Sequence, residues 1–340
     1  MAQQTPRYDL DSVVRLAELA DYIVPFAIRT ACSLGVADAF DDGPAPVETL
    51  AERTGTQAPA LLRLLRVLAS RGIVAEPEPG EFTLTGLGRP LRADHPLSLR
   101  DTHSLFAADV LAWSRLDVPV RTGAPAFDVV HGTDYWTHLA ANPDDSASVD
   151  RWMRGANRLH LRTVLPAYPW GTASTVADLG GGTGGFLAGI LGRHPRLRGM
   201  LYDLPHVVSG AGPVLTGAGV ADRCAVLGGD LFDRAPRGAD VYVLKTVLPG
   251  FTDDEAVRLL GNVAEAMEPG ARLVLLEAVR VPGDAYDVAK LFDVHTMVLT
   301  GGRHRTREQN AALLERAGLR LVRVVPTATL TVLEGELTAG

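Results

Sequence analysis

Two cysteines in 340 residues, Cys32 and Cys224, are too few for a disulfide framework, and they show no metal-ligand spacing. An excess of positive charge is also missing. The 33 Lys and Arg stand against 40 Asp and Glu, for a net charge of −7. That balance argues against a nucleic-acid partner, whose affinity rests on Lys and Arg neutralising phosphates. No run approaches the ~20 uninterrupted apolar residues of a membrane-spanning helix. The N-terminus has no basic flank leading into an apolar core, and there is no internal repeat or low-complexity tract. The expectation is a cytoplasmic protein with reduced thiols, no metal and no membrane association. What the chain does have is a 46% apolar content, ample core for two domains at this length.

From about Leu10 to Phe40, apolar residues recur at helical spacing, among them Leu16, Leu19, Ile23, Phe26 and Ile28. Two short helical patterns follow, Val47 to Arg53 and Pro59 to Arg71, with Leu61, Leu64, Leu65 and Leu68 forming one stripe on the second. Gly72–Ala75 and Glu81–Leu84 then read as a hairpin around Pro77-Glu78-Pro79-Gly80. Helix, turn, helix and hairpin make a winged-helix outline, shared by DNA-binding proteins and dimerisation domains. Arg63, Arg66 and Arg71 on its second helix suit phosphates or a solvated face, and the acidic net charge favours the latter. This segment is read as a dimerisation domain over residues 1–100. A helical linker and substrate lid is expected over 101–168, where Trp113, Trp136 and Trp152 cluster.

Residues 169–340 change to alternating strands and helices. Strands are predicted at Thr175–Leu179, Arg198–Tyr202, Ala225–Leu227, Val241–Leu244, Arg272–Glu277, Leu319–Val325 and Thr329–Leu333. Two capping boxes, Thr252-x-x-Glu255 and Thr306-x-x-Gln309, mark helix starts. Alternating β and α elements predict an α/β, Rossmann-like, doubly wound and mainly parallel sheet of seven strands, with its ligand beyond the strand C-termini.

The run from Val176 to Gly185 ends the first of these strands in a glycine turn, with a helix opening at Phe186. Glycine has no Cβ and tolerates positive φ, so a ligand can lie against bare backbone there. Gly180, Gly182 and Gly185 also satisfy G-x-G-x-x-G. Asp178 decides what ligand that is. A carboxylate two residues before the glycines repels a pyrophosphate but suits the ammonium and sulfonium of S-adenosylmethionine (SAM). Asp203, 18 residues past Gly185 at the end of the second strand, is placed to accept two ribose hydroxyls or to cap the loop at Leu204-Pro205. Asp230 and Leu231 end the third strand, either flanking adenine or turning the chain. Lys245 ends the fourth, lining the adenine edge or reaching solvent.

The blocks Asp178-Leu-Gly-Gly-Gly-Thr-Gly, Tyr202-Asp-Leu-Pro-His-Val, Gly229-Asp-Leu-Phe, Leu244-Lys-Thr-Val-Leu and Gly301-Gly-Arg-His-Arg-Thr occur in that order. With the N-terminal winged helix, they resemble the SAM-dependent O-methyltransferases of plant natural products and bacterial aromatic polyketides, over nearly the whole chain. The resemblance implies a class I methyltransferase fold and a homodimer with interlocked N-terminal domains. It also implies a small aromatic or polyketide-like substrate held between the helical segment and the SAM domain, and S-adenosylhomocysteine (SAH) as product. It places SAM on Asp178, Gly180, Gly182, Asp203, Leu204, Asp230, Leu231, Lys245 and Phe251. Substrate contacts are expected from His103, Trp113, Trp152, Met153, Arg154, His160, Leu248, Asp287, Met297 and Arg303.

Many relatives read Leu-His-Asp-Trp where this chain reads Leu248-Pro249-Gly250-Phe251. Their histidine is the general base, and proline has no proton-accepting side chain. His304 stands where a glutamate usually orients that histidine, while Glu277 matches the other orienting carboxylate. Three mechanisms follow. His304 or His295 serves as a relocated base, an imidazole being suited to it. A phenol beside electron-withdrawing carbonyls ionises without a strong base, leaving proximity and orientation to the enzyme. Or the fold has lost methyl transfer and catalyses a hydroxylation, decarboxylation or rearrangement with SAM bound. Methylation of an aromatic carbon and a ligand-sensing winged-helix regulator are the remaining rivals.

Overall fold

The computed structural model describes residues 9–338 apart from Leu105. The chain divides into two compact units, residues 1–105 and 106–340.

The first unit opens with helices α1 (Leu10–Leu19) and α2 (Ile23–Ser33). The single helical run expected over this stretch is broken by Asp21, whose carboxylate accepts the N–H groups of Ile23 and Val24 and so starts a second helix. The winged-helix outline is present: β1 (Ala45–Pro46), α3 (Val47–Thr54), α4 (Ala58–Ser70), then the hairpin β2 (Val74–Glu78) and β3 (Glu81–Leu84). The first hairpin strand lies later than predicted and runs through Pro77, because a bulge between Ala75 and Glu78 removes the need for a ladder donor there. Leu50, Leu61, Leu65, Leu68 and Phe82 fill this unit's core, and α5 (Arg100–His103) follows.

The second unit begins with four short helices, α6 (Ala107–Trp113), α7 (Asp117–Thr122), α8 (Ala126–His131) and α9 (Tyr135–Ala141), and the long α10 (Pro143–Thr163). The sheet strands are β4 (Thr175–Leu179), β5 (Arg198–Asp203), β6 (Cys224–Gly228), β7 (Val241–Lys245), β8 (Arg272–Glu277), β9 (Leu319–Pro326) and β10 (Thr331–Leu337). Their order is β6-β5-β4-β7-β8-β10-β9. The first five are parallel, and β10 enters antiparallel between β8 and β9. All seven predicted strands are present, with ends shifted by a few residues at most. Between them run α11 (Gly185–Arg193), α12 (Pro205–Val208), α13 (Ala211–Gly217), α14 (Asp253–Ala266), α15 (Val288–Leu299) and α16 (Arg307–Arg316).

Side chains alternate across each strand, so the sheet carries two cores. Val176, Val243, Val274 and Leu276 pack with α11 on one face; Leu179, Leu244, Leu273 and Leu275 pack with α14 and α16 on the other. The C-terminal ends of β4, β7 and β8 lie side by side, which brings Lys245 within electrostatic reach of both Asp178 and Glu277.

Both capping boxes form as the sequence predicts. Thr252→Ala should cost about 1 kcal/mol, read as a lower denaturant midpoint at unchanged m-value.

Candidate active site

The site is built on the glycine turn after β4. Gly180 and Gly182 have φ of +65° and +61°, the left-handed region that side-chain-bearing residues rarely adopt. Gly181 matters for space: a Cβ on it would sit 2.7 Å from Asp178 Cγ and 2.6 Å from Leu201 Cδ1. The turn thus closes directly over the Asp178 carboxylate. Asp203 ties it down, its Oδ2 accepting the Gly182 N–H at 2.7 Å and its Oδ1 the Leu204 N–H at 2.7 Å. Burial raises its pKa and these two bonds lower it. A carboxylate has further lone pairs, so both roles expected for Asp203, loop cap and hydroxyl acceptor, fit one position.

Beneath the turn lies an unusual concentration of charge. Asp178 is 1% exposed, Glu277 3% and Lys245 9%. None of the four carboxylate oxygens has a hydrogen-bond partner. Burial pushes Asp178 up to about 7, with Lys245 opposing the rise and Asp203 adding to it. Burial pushes Glu277 up to about 8, against the pull of Arg305 and Lys245. Lys245 is itself held below its usual range by burial, while both carboxylates draw it back. One ammonium therefore serves two buried acids. Helix α10 adds two more idle polar atoms, Asn157 Oδ1 and His160 Nδ1. Asn157 Nδ2 lies 3.4 Å from where a Gly185 Cβ would be, so this part of α10 flanks the turn. Burial and the nearby Lys245 depress His160 to about 3, so it is neutral. Orphaned buried acceptors around a bare-backbone turn fit a ligand with a cationic, N–H-bearing end.

The second wall is the turn after β7. Thr246 has φ of +55°, an outlier for a β-branched residue, and bends the chain into the 3-10 turn Leu248–Gly250. Arg305 holds that turn from below. It donates to the Leu248 and Phe251 carbonyls at 2.9 Å each and to Asp253 at 2.9 Å. Gly302 makes this possible, since a Cβ there would fall 2.0 Å from the Pro249 carbonyl oxygen. His304 is buried in the same wall. Its backbone N–H donates to Asp293 at 2.8 Å, and its ring Nδ1 lies 3.2 Å from the Ala278 carbonyl oxygen, which can only accept. Nδ1 therefore carries the proton and Nε2 the lone pair. Burial lowers the pKa of His304, keeping it neutral. Pro249, Glu277, His304 and Arg305 line one narrow crevice.

The helical segment brings two tryptophans to this region. Trp113 donates its indole N–H to His295 Nδ1 at 3.1 Å, and its ring stacks on that imidazole. A donor-only indole requires an unprotonated Nδ1, so His295 is neutral while this bond stands. Trp136 stacks on Phe251 with centroids 6.1 Å apart, and Phe251 meets Phe232 edge-on. Trp136 was expected only as one of the clustered tryptophans of the lid segment, with no contact assigned; it packs beside the bare Gly250.

Several expected contacts are otherwise engaged. Arg303 forms an ion pair with Asp253, so it braces the turn rather than facing substrate. Asp287 caps α15, accepting the Ala289 N–H, and also takes the Val281 N–H. Leu248 is a core side chain, 1% exposed. Asp230 accepts the Phe232 N–H at 2.8 Å, its turn-residue role. His160 lies beside Lys245 at the strand ends, not on a substrate wall. Trp152, Met153 and Met297 are half-buried, and Arg154 is exposed. His103 belongs to the first unit, on α5.

With this geometry in hand, comparison with known proteins is informative. Residues 17–94 match the profile of the O-methyltransferase dimerisation domain and residues 113–320 that of the O-methyltransferase domain. Phenazine O-methyltransferase PhzM of Lysobacter antibioticus is 36% identical over 319 residues, 94% of each chain. Aclacinomycin 10-hydroxylase RdmB of Streptomyces purpurascens is 36% identical over 320 residues, 92% of this chain and 86% of that one. Among solved structures, the O-methyltransferase NcsB1 from neocarzinostatin biosynthesis, in complex with SAH and 1,4-dihydroxy-2-naphthoic acid, aligns with a TM-score of 0.82 at 33% identity. That alignment covers 95% of this chain and 98% of NcsB1. Among the described residues no cluster of His, Cys, Asp or Glu could hold a metal, and no helix is long and apolar enough to cross a membrane.

The buried acids set the pH behaviour of the ligand-free protein. Both carry folded-state pKa values above their unfolded ones, so the cost to folding starts near pH 4, grows with pH and is complete at about 7 to 8. Asp178→Asn and Glu277→Gln should therefore raise the unfolding temperature clearly at pH 8 and by less at pH 5. Calorimetric scans at the two pH values check this.

Proposed function

Since the chain belongs to the SAM-dependent O-methyltransferases, with both their catalytic and dimerisation domains, we propose that it methylates a hydroxyl of a small phenolic or polyketide-like aromatic. The observation that carries this reading is the buried, unpartnered Asp178 carboxylate under the glycine turn. Bound there, SAM supplies a methyl group on a sulfonium carbon.

The chain's own residues have separate tasks in this reading. Asp178 meets the ammonium end, with Asn157 and His160 beside it, and Gly180 to Gly182 leave the backbone open. Asp203 takes ribose hydroxyls. Leu231 and Phe251 enclose the adenine, with Trp136 stacked on Phe251 and Phe232 edge-on to it, while Lys245 stays with Asp178 and Glu277 under the turn. Trp113, Trp152, Met153 and Met297 bound the acceptor, and His295 and His304 are the imidazoles nearest to it. Methyl transfer needs the acceptor oxygen in line with the donated carbon, which is a matter of orientation. A second reading has a specific support: Pro249 cannot take a proton, and one relative of similar identity is named as a hydroxylase. Under it, SAM stays intact while another reaction proceeds.

The two readings separate in one assay. With methyl-labelled SAM and an extract of aromatic metabolites, label should move into an organic-soluble product as SAH accumulates. Product formation with SAM undiminished supports the second reading instead.

We also read the chain as a homodimer. Helix α1 has no buried residue, and Leu16 and Leu19 are 67% and 74% exposed, too much apolar surface for a helix of a lone domain. The dimerisation profile begins within this helix. Sedimentation should give about twice the 36.2 kDa chain mass, and Leu16→Asp should shift the equilibrium toward monomer.

A further inference from the structure

Pro249 removes a proton acceptor from the turn after β7, yet an acid remains in the crevice beneath it. Glu277 is 97% withdrawn from solvent, 3% being exposed, and neither of its oxygens is hydrogen-bonded. It lines a narrow crevice together with Pro249, His304 and Arg305. Buried acids with both oxygens idle are rare, because leaving such a group unmatched costs stability. Glu277 also ends β8, and in an open α/β sheet ligands collect beyond the strand C-termini.

His304, the other candidate in the crevice, is differently placed. Its ring Nδ1 is held by the Ala278 carbonyl and the ring lies against Phe292 with centroids 5.9 Å apart, while its backbone N–H is held by Asp293. Main chain and side chain are both fixed as part of the wall. The Glu277 carboxyl makes no hydrogen bond of normal geometry and feels the nearby Leu248 and Val247 backbone N–H groups, which favour its ionised form.

We propose that Glu277 itself accepts the proton of the acceptor's hydroxyl, acting directly on the substrate rather than through an intervening imidazole. This rests on the phenol-methylation reading above. The substrate O–H bond breaks and its proton passes to a Glu277 oxygen. The electron pair left on the phenol oxygen forms the new O–CH₃ bond, while the pair of the S–CH₃ bond returns to sulfur. The proton then leaves Glu277 for solvent, restoring the carboxylate.

The charged groups around the crevice are Arg305 and Arg303 from the segment after α15, Lys245 from β7, and neutral His304. Arg305 and Lys245 favour the carboxylate; burial opposes it more strongly and keeps the acid form up to about pH 8. A group titrating there is ionised often enough to act at neutral pH and basic enough to take a phenolic proton.

The test uses a binding readout and a kinetic one. With SAH bound, the affinities of 1-naphthol and naphthalene are measured between pH 6 and 8.5 by fluorescence. Wild type should favour the naphthol, the preference growing with pH to about tenfold, the worth of a hydrogen bond to a charged group. Glu277→Gln should flatten that dependence, and His304→Gln should retain it. With SAM and a turned-over phenol, the wild-type rate should climb with pH toward 8. Glu277→Gly should lose at least 100-fold in kcat and regain part of it with added formate. A wild type that does not favour the naphthol, or a preference that survives in Glu277→Gln and vanishes in His304→Gln, overturns the proposal. A pH-dependent naphthol preference in an enzyme that methylates no phenol would leave Glu277 as the hydroxyl's partner and remove the methylation reading alone.

Discussion

One lysine shared between two buried carboxylates is the constraint around which this catalytic domain is arranged. Lys245 and Glu277 end β7 and β8 and Asp178 is the penultimate residue of the adjacent β4, and none of the four acid oxygens has a hydrogen-bond partner of normal geometry. Such an arrangement is poor for stability, since a buried charge without hydrogen bonds costs more than it returns. It is well suited to a ligand that carries its own positive charge. The glycine turn follows from the same need, because Gly181 must lack a side chain for the backbone to close over Asp178. Asp203 then holds the closed turn through the Gly182 N–H.

The opposite wall is organised by Arg305. Its guanidinium joins the Leu248 and Phe251 carbonyls to Asp253, and Arg303 reinforces the same aspartate. The turn that carries a histidine in many relatives is thus kept in place here although the histidine is not. Glu277, Arg303 and Arg305 stand around Pro249, with His304 in the place where the resemblance leads one to expect a second orienting carboxylate. Retention of a costly acid in that setting makes its direct use the economical explanation.

Much of this was legible from residue order. The capping boxes at Thr252 and Thr306, the seven strands and the winged-helix outline all follow from local chemistry: hydroxyls three residues before Glu or Gln, apolar runs, and turn residues. Asp178 could be assigned to a cationic ligand because its position relative to the glycines fixes the sign of the local field. Less legible was how each side chain is engaged. Arg303, Asp287 and Leu248 were expected at the substrate from the family resemblance. Whether a side chain is spent on a neighbour depends on contacts between distant segments, such as Arg303 with Asp253, fifty residues away. The same holds for the Trp113–His295 bond and the Trp136–Phe251 stack, which join helices of the lid segment to residues more than a hundred positions on. Spacing cannot show that two carboxylates share one lysine, because they meet only across strands.

The account stands or falls on whether the bound cation completes a charge deficit at Asp178. Isothermal calorimetry of SAM binding at pH 7, in buffers of different ionisation enthalpy, measures this as protons exchanged. Because Asp178 is held near half-ionised at that pH, SAM should expel a substantial fraction of a proton, and uncharged-sulfur SAH a smaller one. Asp178→Asn should abolish the difference between buffers. Binding of SAM with no proton release in the wild type would contradict the central claim.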